Sequence, residues 1–134
     1  MTEQTPPALV HVRANDTDLQ SWPDPDRQGN VRFRVLIDAD GGPSSGVAQG
    51  LAIFEAGDAE GAHAHDRPET AYVASGGGTL TAGGEDTPAE AGDMFFVPPG
   101  LVHAWRAGEE GMRLLYSFPA DRMAEVAYDW TDEA

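Results

Sequence analysis

Two of the four histidines, His63 and His65, are separated by a single residue. On a strand that spacing projects both imidazoles from one face, which suits two cis ligands of one metal ion. Glu69 follows after Asp66-Arg67-Pro68, a bend that returns its carboxylate toward the imidazoles at the start of the next strand. His103 lies far along the chain, just after Val97-Pro98-Pro99-Gly100, a turn able to swing the following strand across the same cavity. Each group also has a plainer reading: a solvated His-x-His, a surface carboxylate at Glu69, a core histidine at His103. His11 reads as solvated.

The residue types that are missing narrow the chemistry. All eight basic residues are Arg and there is no Cys, so Schiff-base catalysis, a P-loop lysine, thiolate nucleophiles, disulfides and zinc fingers are excluded. A net charge of -15 repels nucleic acid backbones, so no nucleic-acid partner is expected. What remains is imidazole, carboxylate, phenol and metal chemistry. No run reaches the roughly eighteen consecutive apolar residues of a membrane span. The opening MTEQTPPALV lacks the basic start and apolar stretch of a signal peptide, so a cytoplasmic protein with no membrane partner is expected.

The elements that must position these groups read as strands. A chain of 134 residues fits one domain, and 16 Gly with 10 Pro imply many turns. Residues 1–30, rich in Pro and Asp, read as an arm or early edge strand, with an extended piece at 9–12. Val31, Phe33, Val35 and Ile37 then alternate with Arg32, Arg34 and Leu36, the period of a strand with one buried face. The two arginines read as a solvated face, with an inward Arg gripping a substrate carboxylate as the alternative. Asp24, Asp26, Asp38 and Asp40 read as solubilising. Further short strands follow at 50–55, 70–74, 78–82, 94–97, 102–106 and 112–118, separated by Gly-rich breaks. This pattern predicts an all-β sandwich or barrel over 31–120. Residues 121–134 form a tail in which 121–128 is either a short helix or an edge strand.

At this point the residues carry a resemblance. Gly57, five residues, His63-x-His65, three residues, Glu69, six residues and Gly76 looks like the first motif of the cupin superfamily. Gly92, five residues, Pro98-x-Gly100, two residues and His103 matches the second motif up to its last position, usually Asn and here Ala107. The fifteen residues between Gly76 and Gly92 resemble the short spacer of small single-domain microbial cupins. The resemblance implies a jelly-roll barrel, a double-stranded β-helix, with both motifs paired and their ligands pointing inward. It assigns His63, His65, Glu69 and His103 as ligands of one divalent transition metal per chain, whether Fe, Mn, Zn, Ni, Co or Cu. The Asn replaced by Ala107 braces a turn in the family and is not a ligand.

Four such ligands leave two cis positions of an octahedral ion open, which suits a small oxygenated substrate with or without dioxygen. The expected function is therefore a metal-dependent enzyme on a small molecule, with a dioxygenase favoured. A non-redox isomerase, cyclase or lyase, or a small-ligand-binding module without turnover, is the alternative. By parity with Glu69 and His103, the candidate pocket residues are Ala71, Val73 and Trp105, with Ala71 leaving volume beside the ion. Phe54, Arg113, Leu115 and Ser117 are candidates on the opposite sheet. Catalytic residues are not assigned. The arm and its neighbouring strand predict a homodimer, because pairing across a two-fold axis covers open sheet edges.

Overall fold

The computed structural model of the chain describes residues 7–42 and 44–134. Its strands are β1 (Gln20–Ser21), β2 (Arg32–Ile37), β3 (Ala48–Phe54), β4 (Ala59–His65) and β5 (Glu69–Ala82). They continue with β6 (Glu85–Glu90), β7 (Met94–Val97), β8 (His103–Phe118) and β9 (Tyr128–Trp130). All pair antiparallel in the order β1-β2-β3-β8-β4-β9, while β5 joins β6, β7 and β8. The sheet curls into the expected all-β jelly-roll barrel. Among the described residues no helix is long and apolar enough to cross a membrane.

Two of the expected Gly-rich breaks are bends inside longer strands. β5 pairs with β8 twice: Thr70–Gly76 against Met112–Ser117, then Gly78–Ala82 against His103–Ala107. Between these stretches the five steps from Ala107 to Met112 face only the two from Gly76 to Gly78. The glycines make that corner possible. Gly76 has φ +70°, and a Cβ on it would run into the Gly111 carbonyl, so a side chain there would hold the strands apart. The extra length also reverses the inward parity along β8. His103, Trp105 and Ala107 face in before the corner, whereas Met112, Leu114 and Phe118 face in after it. Period-two reasoning carried through from His103 therefore picks the wrong members of the second half.

The flanking segments differ from the sequence reading in three places. Residues 9–12 form no strand, and Leu9 is 94% exposed with nothing to pack against. Within 121–128 only a 3-10 turn forms, Met123–Glu125, and the chain then joins the sheet as β9 beside β4. A single helical turn, α1 (Pro25–Gln28), begins on Pro25, whose fixed φ suits a first helical position. Asp38 is not a solubilising residue. It is buried, and its carboxylate accepts hydrogen bonds from the N–H groups of Asp40, Gly41 and Met123, pinning the β2–β3 loop to the tail. Arg32 pairs at the surface with Glu55 (3.0 Å), and the Arg34 guanidinium donates to the Thr17 carbonyl.

Two apolar clusters fill the barrel. One joins Val31, Ala52, Phe54, Ala71, Val73, Trp105, Met112 and Leu114; the other joins Ala48, Phe118, Ala120 and Val126. Tyr116 packs against both. Burying each of the larger side chains, such as Met112 and Phe118, contributes roughly 1.5–3 kcal/mol.

Candidate metal centre

His63 and His65 project from one face of β4, and His103 stands directly opposite His63 on β8. The ligand nitrogens of the three buried rings lie within 4.8 Å of one another. His63 Nδ1 donates to the Gly61 carbonyl (2.8 Å) and His103 Nδ1 to the Leu101 carbonyl (2.9 Å). Those bonds fix the tautomer and leave each Nε2 as a bare lone pair turned toward the cluster. Glu69, the first residue of β5, flanks the group beside two of its three rings. Its Oε1 lies 3.7 Å from His65 Nε2 and 3.8 Å from His103 Nε2.

The electrostatics of this cluster suit a cation. Burial pushes the pKa values of His63 and His103 down to about 4 and that of His65 to about 3. Burial, reinforced by the charge of Glu60, holds the Glu69 carboxyl well above the usual range. Neutral imidazoles are the form that ligates metal. The Nε2 atoms of His65 and His103 and Oε1 of Glu69 are buried with no hydrogen-bond partner among the described residues. Buried polar atoms are rarely left so, and a divalent ion would satisfy all three at once. The donor set of imidazole and carboxylate, without thiolate, fits a borderline or hard divalent ion.

A cavity of about 20 Å³ adjoins the cluster, room for one or two waters. Trp105 and Glu69 are among its lining residues. The other expected pocket residues lie elsewhere. Ala71 and Val73 face inward but sit wholly within the apolar core, as does Phe54. Arg113 is exposed because of the parity reversal along β8, which also turns Leu115 and Ser117 away and brings Leu114 and Tyr116 to the cavity wall. The room beside Ala71 serves Tyr116, whose β-sheet partners are Ala71 on one side and Gly50 on the other. A Cβ on Gly50 would overlap the Tyr116 ring.

Four groups of the site were not legible as such in the sequence: Glu60, Tyr116, Tyr128 and Trp22, all lining the cavity. Glu60 is three residues from His63, a spacing that on a regular strand puts it on the opposite face. Here Glu60 pairs with Trp105 and His63 with His103, so three steps of β4 match two of β8, a β-bulge that brings Glu60 to the histidine side. Gly61 marks the bulge, because the Arg27 carbonyl occupies the place of its missing Cβ. Glu60 Oε1 lies 3.7 Å from His63 Nε2, and Oε2 accepts a hydrogen bond from Trp22 Nε1 (3.2 Å). Burial raises its pKa to about 7, opposed by His103 and by the Trp22 bond. The tail supplies Tyr128 and Trp130, whose rings lie 5.3 Å and 4.8 Å from that of His63. Trp22 packs on both at about 5 Å.

Ala107, where the resemblance has Asn, is buried, and its N–H donates to the Asp58 carbonyl (2.8 Å). Gly57 N–H donates to the Gly108 carbonyl (3.2 Å), so backbone bonds brace this turn.

Comparison with known proteins agrees with this geometry. The chain is 29% identical over 123 residues to the dimethylsulfoniopropionate lyase DddW of Ruegeria pomeroyi, covering 92% of this chain and 80% of that protein. Among solved structures it resembles the polyketide cyclase RemF from Streptomyces resistomycificus, with TM-score 0.79, 18% identity, and coverage of 95% and 88% of the two chains. It also resembles an oxalate decarboxylase variant of Bacillus subtilis, with TM-score 0.71 and 23% identity, covering 89% of this chain and 32% of that one. At these identities the two structures establish the fold alone. Residues 50–118 match the family described as the cupin domain, and with both motifs at the centre of the barrel, the chain belongs to the cupin family.

Proposed function

We propose that this chain is a metal-dependent lyase for a small molecule that carries a cationic leaving group β to a carboxylate. The supporting observation is the convergence of His63, His65, Glu69 and His103 on a buried point beside a cavity without a cationic side chain in its wall. The wall is aromatic, from Trp22, Phe33, Trp105, Tyr116 and Tyr128. Aromatic faces attract sulfonium and ammonium groups, and the nearby carboxylates add to that preference. The relationship to a dimethylsulfoniopropionate lyase points the same way.

His63, His65, Glu69 and His103 would hold the ion, which would polarise a substrate oxygen and offset the carboxylate charge near the phenols. Tyr116 and Tyr128 are the neutral hydroxyl donors at the cavity, placed to hydrogen-bond the substrate carboxylate, and Glu60, with its pKa raised by burial to about 7, is the proton acceptor. Burial, with added charge from Glu60 and Glu69, pushes both phenols up. In elimination the Cα–H bond breaks and its proton passes to the Glu60 carboxylate at the cavity wall. The electron pair forms the C=C bond, and the C–S or C–N bond breaks with its pair leaving on the heteroatom. The aromatic walls exclude water during this transfer, and because the cavity is small, substrate entry requires one of them to swing aside.

The sequence favours an oxygen-dependent reaction, in a pocket with Trp105 in its wall. Glu60, Tyr116 and Tyr128 share that wall, and such an array of ionisable groups favours proton transfer. The test is to load metal-free protein anaerobically with Fe(II) or Zn(II), add dimethylsulfoniopropionate, and follow dimethyl sulfide with and without air. Sulfide release independent of air, reduced at least 100-fold in Tyr116→Phe with metal retained, supports the lyase. Oxygen-dependent consumption of any small carboxylate or diol would replace it with a dioxygenase. Binding without chemical change would replace it with a binding module.

A further inference from the structure

We propose that Glu60 is a fifth protein donor to the metal centre, an inference that rests on the metal-centre reading of His63, His65, Glu69 and His103. Two donors bound at about 2.1 Å to one ion, 90–120° apart, stand about 3.0–3.6 Å from each other. Glu69 Oε1 stands 3.7 Å and 3.8 Å from its two imidazole nitrogens, and Glu60 Oε1 stands 3.7 Å from His63 Nε2. Glu69 thus stands beside two imidazoles of the cluster and Glu60 beside the third, each at a spacing close to that of two donors on one ion.

The orientation of His63 strengthens the case. Its Nδ1 hydrogen is committed to the Gly61 carbonyl, so the nitrogen facing Glu60 is the one with the lone pair. A lone pair turned toward a carboxylate oxygen is unfavourable, and a cation held between them turns repulsion into two bonds. Glu60 is also held in place. The bulge at Gly61–Ala62 turns it to the histidine face, and Trp22 Nε1 takes its other oxygen. Trp22 itself is wedged against Phe33, Tyr128 and Trp130 at ring distances of about 5 Å. A merely solvated glutamate needs none of this.

A donor set of three imidazoles and two carboxylates leaves one open octahedral position rather than two. It cancels the charge of a divalent ion and shifts preference toward the harder Fe(II) and Mn(II). A substrate that chelates through two oxygens must then displace a carboxylate, and Glu60, with more of its side chain exposed than Glu69 and one imidazole beside it rather than two, is the one displaced more easily.

The experiment compares the parent with Glu60→Gln, Glu60→Asp and Glu69→Gln, using Mn(II) binding read by the resonance of free Mn(II) and the visible absorption of the Co(II)-loaded proteins. Glu60→Gln is expected to weaken Mn(II) binding about 10- to 100-fold and to shift the Co(II) bands. Weaker binding with the parental Co(II) spectrum means that Glu60 acts only through its charge and overturns the proposal, as does no change in either readout. In both cases loss of metal from Glu69→Gln leaves the four-donor centre standing. Parental binding in Glu69→Gln overturns that centre as well. Should Glu60→Gln not fold, Glu60→Asp keeps the charge and withdraws the oxygen by one methylene. A shifted Co(II) spectrum then supports ligation, and an unshifted one overturns it.

Discussion

Replacing Gly50 with Ala tests whether the Tyr116 ring sits where the cavity requires it. The new Cβ would fall 2.9 Å from Tyr116 Cε2 and closer still to Cζ and Oη. To regain ordinary contact the ring must retreat by about 1 Å, because repulsion rises steeply inside van der Waals distance. Two effects of opposite sign compete. Ala in place of Gly in a strand gains roughly 0.5–1 kcal/mol of backbone entropy. Overpacking a tight site costs typically about 1–3 kcal/mol. The clash wins here, since the opposing atoms belong to a stiff ring between β3 and β5 rather than to a flexible chain end. Thermal melts should show a net loss of about 1–2 kcal/mol, a few degrees in Tm. Turnover should fall more, because a reacting group misplaced by about 1 Å costs about 100-fold. Metal content, measured on the same samples, should not change. In a Tyr116→Ala background Gly50→Ala should become neutral or stabilising, since the ring it displaces is gone. An unaltered Tm and turnover in Gly50→Ala, or an equal cost in both backgrounds, would refute the reasoning.

Elemental analysis of protein purified without chelator should find about one divalent ion per chain, with most of it lost in His63→Ala and in His103→Ala; equal content in all three would remove the centre. Because Glu69 is held protonated well above its ordinary pKa while the imidazoles are held neutral, an incoming ion displaces a proton from the carboxylate. Affinity should therefore climb with pH by up to about tenfold per unit until Glu69 ionises unaided, and fall as pH drops; titration calorimetry in buffers of different ionisation enthalpy reads the released proton. Asp38→Ala strands the N–H groups of Asp40, Gly41 and Met123 and should cost about 2 kcal/mol in chemical denaturation while leaving metal content at the parental level. The homodimer expected from the sequence is checked by light scattering at low and high salt, where a monomer at every micromolar concentration would defeat it.

What could be read from the residues was whatever depends on local spacing. His63-x-His65 sits on one strand face because strands alternate, and Glu69 and His103 join it through turns marked by Pro68 and by Pro98-Pro99-Gly100. Two irregularities hid the rest. The bulge at Gly61–Ala62 reversed the face of Glu60, and the corner at Gly108–Gly111 reversed the faces of Arg113 through Phe118. Both are single changes of register, and neither leaves a trace in a period-two pattern beyond a glycine among many glycines. Glu85–Glu90, all polar but for Pro88 and Ala89, showed no strand signal because it pairs along its backbone with β5 and buries only Ala89. Trp22 and Tyr128 meet at the site only because long-range pairing brings arm and tail to β4, which spacing along the chain does not encode.

The double pairing of β5 with β8 bears on how the proposed centre would acquire its ion. His63, His65 and Glu69 lie within one short stretch of chain, so they are neighbours from the moment they are made. His103 comes to them only as β8 zips along β5, a contact between distant parts of the sequence of the kind that folds slowly, on the order of milliseconds to seconds. Until then the proposed centre would have only three of its four donors. The last imidazole would join them in the same step that closes the barrel. In the proposed centre the ion would then be fixed at that step, by the donor set and by the metal supply of the surroundings in which the chain completes its folding.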